Sequence, residues 1–309
     1  MSTTSLYAIC VLIWGTTWFA ITAQIDAVAP EVGVALRFGM AAAMLLAYSH
    51  WRRLELRFTP RLHAMFALQG LTGLCASYIC IYHAERFVVS GVVAVGYATS
   101  PLIGMLSARV FLGTPMSRRV AAGGSLGLAG VALIFAHEFG RLGASPEVVL
   151  GAVLTAAAVL LSSVSTIASA RYQREGISGW SPLGWAMAYG ALGSVVAALV
   201  AGRSWQIDWS GPFVASLAYL TLAGSVVTFG AFYTLVHRIG PARAGYIGVL
   251  TPVVALVVSS WLEGFTWTGE TMAGVALAIA GNVLAMWTPR PASATASVQT
   301  SESSTTTGA

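Results

Sequence analysis

Long apolar runs broken by short polar ones dominate the chain. Stretches nearly free of charge occur at 6–24, 30–50, 64–84, 88–110, 119–137, 149–170, 180–201, 212–236, 241–262 and 269–288. Each is close to the roughly 20 residues that an α-helix needs to cross the hydrocarbon core of a bilayer. Strict alternation of apolar and polar residues is absent, which excludes a transmembrane β-barrel. The pattern predicts an all-α integral membrane protein of ten transmembrane helices.

Charge orients these spans. Arg52, Arg53, Arg57 and Arg61 follow the second span, Arg118 and Arg119 the fourth, Arg171 and Arg174 the sixth, Arg238 and Arg243 the eighth, and Arg290 the tenth. The alternate loops hold only Arg86, Arg141 and Arg203. Because basic residues are retained on the cytoplasmic side, both termini are expected there. Asp26, Glu31, Glu85, Glu138, Glu147, Asp208, Glu263 and Glu270 fall on the other side. The Ser/Thr-rich stretch 291–309 cannot bury a core and is expected to be a disordered tail.

The chain also repeats itself. At an offset of 151, Tyr82 meets Tyr233, Ser100 meets Thr251, Pro101 meets Pro252, Gly123 meets Gly274 and Gly130 meets Gly281. Pro30 and Pro182 open the second helix of each half at an offset of 152. This divides the chain into a first five-helix repeat over 1–145 and a second over 146–290. Five is odd, so the second repeat must enter the membrane inverted. Inverted repeats put a solute site near the midplane and allow alternating access by rocking. The spacings Gly123–Gly127 and Gly274–Gly281 predict close helix packing within each half, with homodimerisation as the alternative.

Composition narrows the function. The chain is 57% hydrophobic and 9% charged, whereas soluble domains carry roughly 25% charged residues. All 16 basic residues are arginine, scattered along the chain, and the net charge of +5 gives no nucleic-acid footprint. Cys10, Cys75 and Cys80 lie in apolar runs without metal-ligand or CxxC spacing. A signal peptide is not expected, because the positive n-region is missing. No HExxH or nucleotide-binding loop is present and no Asp lies within a span, so an intramembrane enzyme and an ATP-driven pump are both disfavoured. A receptor is disfavoured because no loop is long enough to be a soluble domain.

The WGTTW of the first helix, ALRFGM in the second, the TSP of the fourth with its TP counterpart in the ninth, and the Gly-spaced fifth and tenth helices resemble the drug/metabolite transporter superfamily, and within it the EamA-type group. The resemblance covers about residues 6–288. It implies ten helices around a central cavity in a multi-pass inner-membrane protein, and export of amino acids or other metabolites, with drug export as the alternative. No cofactor and no metal is implied. The expected partners are a small-molecule substrate and the lipid bilayer, and a monomer is the expected unit.

Trp14, Thr17 and Trp18 share a helical face, as do Tyr78 and Tyr82 with His83 beside them. Tyr97 and Ser100 precede Pro101, Ser162 and Thr166 belong to a hydroxyl-rich sixth helix, and Tyr233 and Tyr246 lie deep in the eighth and ninth. An aromatic and hydroxylic lining of this kind suits stacking, cation–π contact and hydrogen bonding to a solute. The competing role for such residues is anchoring at the membrane interface or bonding between helices. Arg37 is the one charge well inside a span. Burying it costs at least about 2.5–3.5 kcal/mol, so it is expected either to meet a substrate carboxylate or govern gating, or to serve structurally by capping carbonyls. Pro101 and Pro252 supply kinks. His83, Glu85 and Arg86 form a possible gate or proton site, with a solvated rim as the preferred reading.

Overall fold

The computed structural model describes residues 1–100, 102, 103, 106, 109, 110, 118–142, 145–239 and 244–286. Pro101, Arg243, Arg290 and the tail lie outside these. Helix starts follow local chemistry. The Ser2 side chain accepts from the Ser5 amide at the head of α1 (Thr3–Ile25), and Ser145 does the same for Val148 at the head of α6 (Pro146–Arg174). Proline at the first turn opens α2 (Pro30–Trp51) and α3 (Pro60–Ala84), where its missing N–H would have had no partner. The remaining helices are α4 (Ser90–Tyr97), α5 (Arg118–Leu142), α7 (Trp180–Val200), α8 (Gly211–Val236), α9 (Ile247–Leu262) and α10 (Gly269–Met286).

Among the described residues seven helices are long and apolar enough to cross a membrane: α1, α2, α3, α5, α6, α7 and α8. The apolar α9 and α10 are shorter. Side chains such as Leu12, Val153, Leu160, Leu192, Leu199 and Trp261 point out of the bundle and are exposed. In water such a surface would aggregate; in lipid it is the solvated face. The chain is an all-α, multi-pass membrane protein.

Two helices carry a local widening. The Ser77 amide bonds to the Thr72 carbonyl in α3, and the Thr228 amide bonds to the Ala223 carbonyl in α8. These i→i+5 bonds mark π-helical stretches at Gly70–Ala76 and Leu220–Val227, a feature frequent at functional sites. Each leaves a carbonyl to a neighbouring helix. The Ser165 hydroxyl of α6 donates to the Gln69 carbonyl at 3.1 Å, and the Trp14 indole N–H of α1 donates to the Gly224 carbonyl at 3.1 Å.

The glycine spacings do not pack each half upon itself. They join α5 to α10. A Cβ on Gly123 would lie 2.5 Å from the Gly281 carbonyl oxygen, and one on Gly130 would lie 2.5 Å from that of Gly274. Backbones therefore touch directly, the close approach that small residues permit within a membrane. A helix carrying glycine on one stripe seeks whichever glycine stripe faces it, and here that stripe belongs to the other half.

Candidate functional site

A cavity of about 250 Å³ opens where α1, α2, α3, α4, α8 and α9 converge. Trp14, Thr17, Trp18, Arg37, Tyr78, Tyr97, Ser100 and Pro252 line it, together with Phe229, Gly248 and Thr251. Five aromatic rings, those of Trp14, Trp18, Tyr78, Tyr97 and Phe229, stand in its walls. Trp14 meets Phe229 edge-on at 5.3 Å between ring centroids, and Trp18 meets Tyr97 at 5.5 Å. Edge-to-face pairs of this sort hold rings in place beyond what area burial gives. The Trp14 indole N–H is fixed on the carbonyl of Gly224, inside the widened turn of α8. That fixes the ring plane against the cavity.

Hydroxyls of the lining donate inward to backbone. Thr17 donates to the Trp14 carbonyl at 2.7 Å, Ser100 to the Tyr97 carbonyl at 2.5 Å and Thr251 to the Ile247 carbonyl at 2.8 Å. Arg37 is the charged member of the lining and is only 2% exposed. Its guanidinium stands over the rings of Phe38 and Tyr78, at 5.1 and 5.0 Å from their centroids, and cation–π contact is strongest when desolvated, about 2 kcal/mol. Its Nε–H donates to Ser225 Oγ at 3.3 Å, and its Nη1 has no hydrogen-bond partner.

Other residues singled out in the sequence lie elsewhere. Tyr82 is fully buried one turn beyond Tyr78, and its hydroxyl donates to Gln24 Oε1 at 3.0 Å. His83 pairs with Glu31 at 3.0 Å. Thr166 donates to the Ser162 carbonyl of its own helix at 2.9 Å, so α6 satisfies that hydroxyl itself. Tyr233 lines a second cavity, beside Trp180 and Gly230. Neither cavity wall includes Ser162 or Tyr246. Phe229, Gly248, Ile21 and Ile81 line the first cavity without having stood out, because plain apolar residues and glycine carry no chemical signal in an apolar helix.

Beyond the cavity, at the bundle end where α1, α3 and α9 finish and α2 and α4 begin, lies a polar cluster. Glu263 accepts from the Ser90 amide at 3.1 Å and from the hydroxyls of Ser90 and Ser259 at 2.5 Å each, tying α9 to the first turn of α4. Glu31 pairs with His83 and, at 3.2 Å, with Arg203. Glu85 is no part of a solvated rim. It is 7% exposed and neither carboxyl oxygen has a hydrogen-bond partner. Burial, reinforced by the nearby negative charge of Glu263 and only partly offset by Arg37, raises its carboxyl well above the usual carboxylate range. The rim reading fails for Glu85, whereas Arg86 beside it is exposed.

With this geometry in hand, comparison with known proteins decides the family. The model of the EamA-like transporter family matches residues 2–136 and again residues 149–287. The chain belongs to the EamA-like transporter family. It is 30% identical over 259 residues to the uncharacterized inner membrane transporter YedA of Escherichia coli (strain K12), covering 82% of this chain and 81% of that one. It is 31% identical over 233 residues to a probable terminal-alkyne amino-acid exporter of Streptantibioticus cattleyicolor, covering 71% and 72%. A protein of known crystal structure shares the fold with a TM-score of 0.67 at 22% identity, over 92% of this chain and 96% of that one. This EamA-like protein is thus a multi-pass inner-membrane transporter of small molecules and not an enzyme. Among its described residues no group of three or more His, Cys, Asp and Glu could hold a metal ion.

Proposed function

We propose that the chain exports a small metabolite, an amino acid including the aromatic ones, by alternating access between two inverted five-helix repeats. In this reading ten helices span the membrane, 1–145 and 146–290 are the repeats, and both termini face the cytoplasm. The observation that carries it is the aromatic cavity with a buried arginine, walled by helices from both halves. Support for inversion comes from the arginine asymmetry of the loops and from an odd number of helices per repeat. The two matches to one family model and the paired widenings of α3 and α8 support the repeat. The name of the Streptantibioticus relative supports an amino acid as cargo.

Trp14, Thr17, Trp18, Tyr78, Tyr97 and Ser100 contact the solute. Tyr82, His83, Tyr233 and Tyr246 act from outside that wall, on the closures above and below it. Ser162 and Thr166 steady α6. Pro252, inside α9, lets that helix flex.

The test is flux of radiolabelled amino acids in proteoliposomes of the purified protein, with and without a proton gradient. Saturable flux of at least one amino acid is the expected result. Empty-vesicle levels for the whole panel, in intact and correctly loaded vesicles, would remove amino acids as cargo.

A further inference from the structure

We infer that this cavity selects its solute by a carboxylate, read by Arg37, and makes no demand on an α-ammonium group, so that apolar and aromatic monocarboxylates lacking the amine are ligands as well. The inference rests on the reading of this cavity as the solute site.

Arg37 carries a charge that no described acid pairs with. Arg37 is almost wholly enclosed, and a buried charge without a partner is costly. Its Nε–H is used on a neutral hydroxyl, its Nη1 is unpaired, and no ion pair involving it occurs among the described residues. The acids packed near this end are occupied or neutral. Glu31 is held by His83 and Arg203. Glu263 is held by the Ser90 amide and two hydroxyls. Glu85 accepts no bond, and its enclosure favours the protonated form. The guanidinium therefore lends positive charge to a wall of low polarity, with its Nη1 enclosed beside the cavity. A carboxylate entering there forms a charge-assisted bond that water-exposed arginines provide only weakly.

The rest of the lining shows what the solute's other end meets. Trp14, Trp18, Tyr97 and Phe229 offer ring faces and edges for an apolar or aromatic body. The hydroxyls of Thr17, Ser100 and Thr251 have given their protons to backbone carbonyls, so none of the three donates to a carboxylate and that contact falls to Arg37. No Asp or Glu is among the lining residues, so an ammonium finds no counter-ion and lies in the field of Arg37. Recognition is one-sided: carboxylate read, amine ignored.

The experiment titrates the purified full-length protein with phenylalanine, phenylpyruvate, N-acetylphenylalanine and phenethylamine by calorimetry, on wild type and on Arg37→Gln. Phenylpyruvate and N-acetylphenylalanine are expected to bind within about threefold of phenylalanine, and phenethylamine at least about tenfold more weakly. In Arg37→Gln the carboxylates weaken by about tenfold or more and the gap to the amine closes. Should the variant fail to fold, the ranking on wild type decides alone. Phenethylamine binding as well as phenylalanine, phenylpyruvate binding tenfold worse than phenylalanine, or no carboxylate binding to folded protein would each overturn the inference. Flux of the same four compounds separates this from the transport reading. Binding in the expected order without flux sinks transport alone, and flux without that order sinks the carboxylate rule alone.

Discussion

Trp14 of α1 and Ser165 of α6 stand 151 residues apart, the repeat offset, and each meets the widened turn of the helix it packs on. Trp14 donates to the carbonyl of Gly224; Ser165 donates to that of Gln69 and lies against Gly73, the counterpart of Gly224. The widened turn is shared, but the side chain differs and so does the carbonyl it reaches, since Gln69 matches Leu220 at that offset and not Gly224. On the first side an indole reaches across to form a cavity wall. On the second a hydroxymethyl group fills a gap so tight that a Cβ on Gly73 would lie 2.1 Å from the serine Oγ. A duplicated scaffold has thus been specialised by side-chain volume, with α1 lining the candidate cavity while its counterpart α6 packs as a strut.

The sharpest way to break this comparison is Ser165→Trp. Overpacking costs about 1–3 kcal/mol, occasionally more, and with no room beside Gly73 a loss of about 3 kcal/mol or more is expected, read as a collapse of the melting temperature or of the monodisperse peak. A variant melting like wild type would mean that α6 is no strut. Next comes Gly248→Leu, in which the new side chain enters open space in the cavity wall. Flux should fall by about tenfold or more while the melting temperature holds; unchanged flux would place the solute path elsewhere. Trp14→Ser makes the first half resemble the second. It removes the contact with Phe229 and the bond to Gly224, and about 2 kcal/mol of stability should go with them, with flux reduced severalfold.

The smallest effect concerns Glu85, and its sign is fixed. Its folded carboxyl holds a proton more tightly than the unfolded one, which titrates near about 4.3. Stability is therefore full below that value and declines as pH rises toward the folded pKa. Wild type should melt lower at pH 8 than at pH 5, and Glu85→Gln should flatten that dependence. Parallel pH profiles for the two proteins would contradict the assignment.

The all-α, multi-pass character was legible in the apolar runs, because a membrane span announces itself by length, and seven described helices have that length. α1, α2, α6 and α7 follow the predicted spans to within a few residues at most of their ends. The widened turns of α3 and α8 were not legible, since GLTGLCA and LTLAGSVV read as ordinary helix. Within the candidate site, i, i+4 spacing correctly put Tyr78 and Tyr82 on one face. It could not say that the cavity ends between them, where Gln24 and Gly33 close over Tyr82. Periodicity gives direction around a helix, whereas depth along it depends on which neighbour arrives. Glu85 is hidden for the same reason: its position at the end of α3 does not tell that it lies buried in the field of Glu263, far away in the chain.

The glycine seam between α5 and α10 has a consequence for how substitutions should be interpreted. Gly123, Gly130, Gly274 and Gly281 each leave less than 3 Å for a methyl group, much of it against main chain that cannot step aside. A survey of tolerated changes would mark all four as forbidden, as strictly as any residue that handles cargo. None of the four lines the cavity. Intolerance there measures the thickness of two backbones pressed together, so these four unforgiving positions trace the joinery of the protein and not the wall of its cavity.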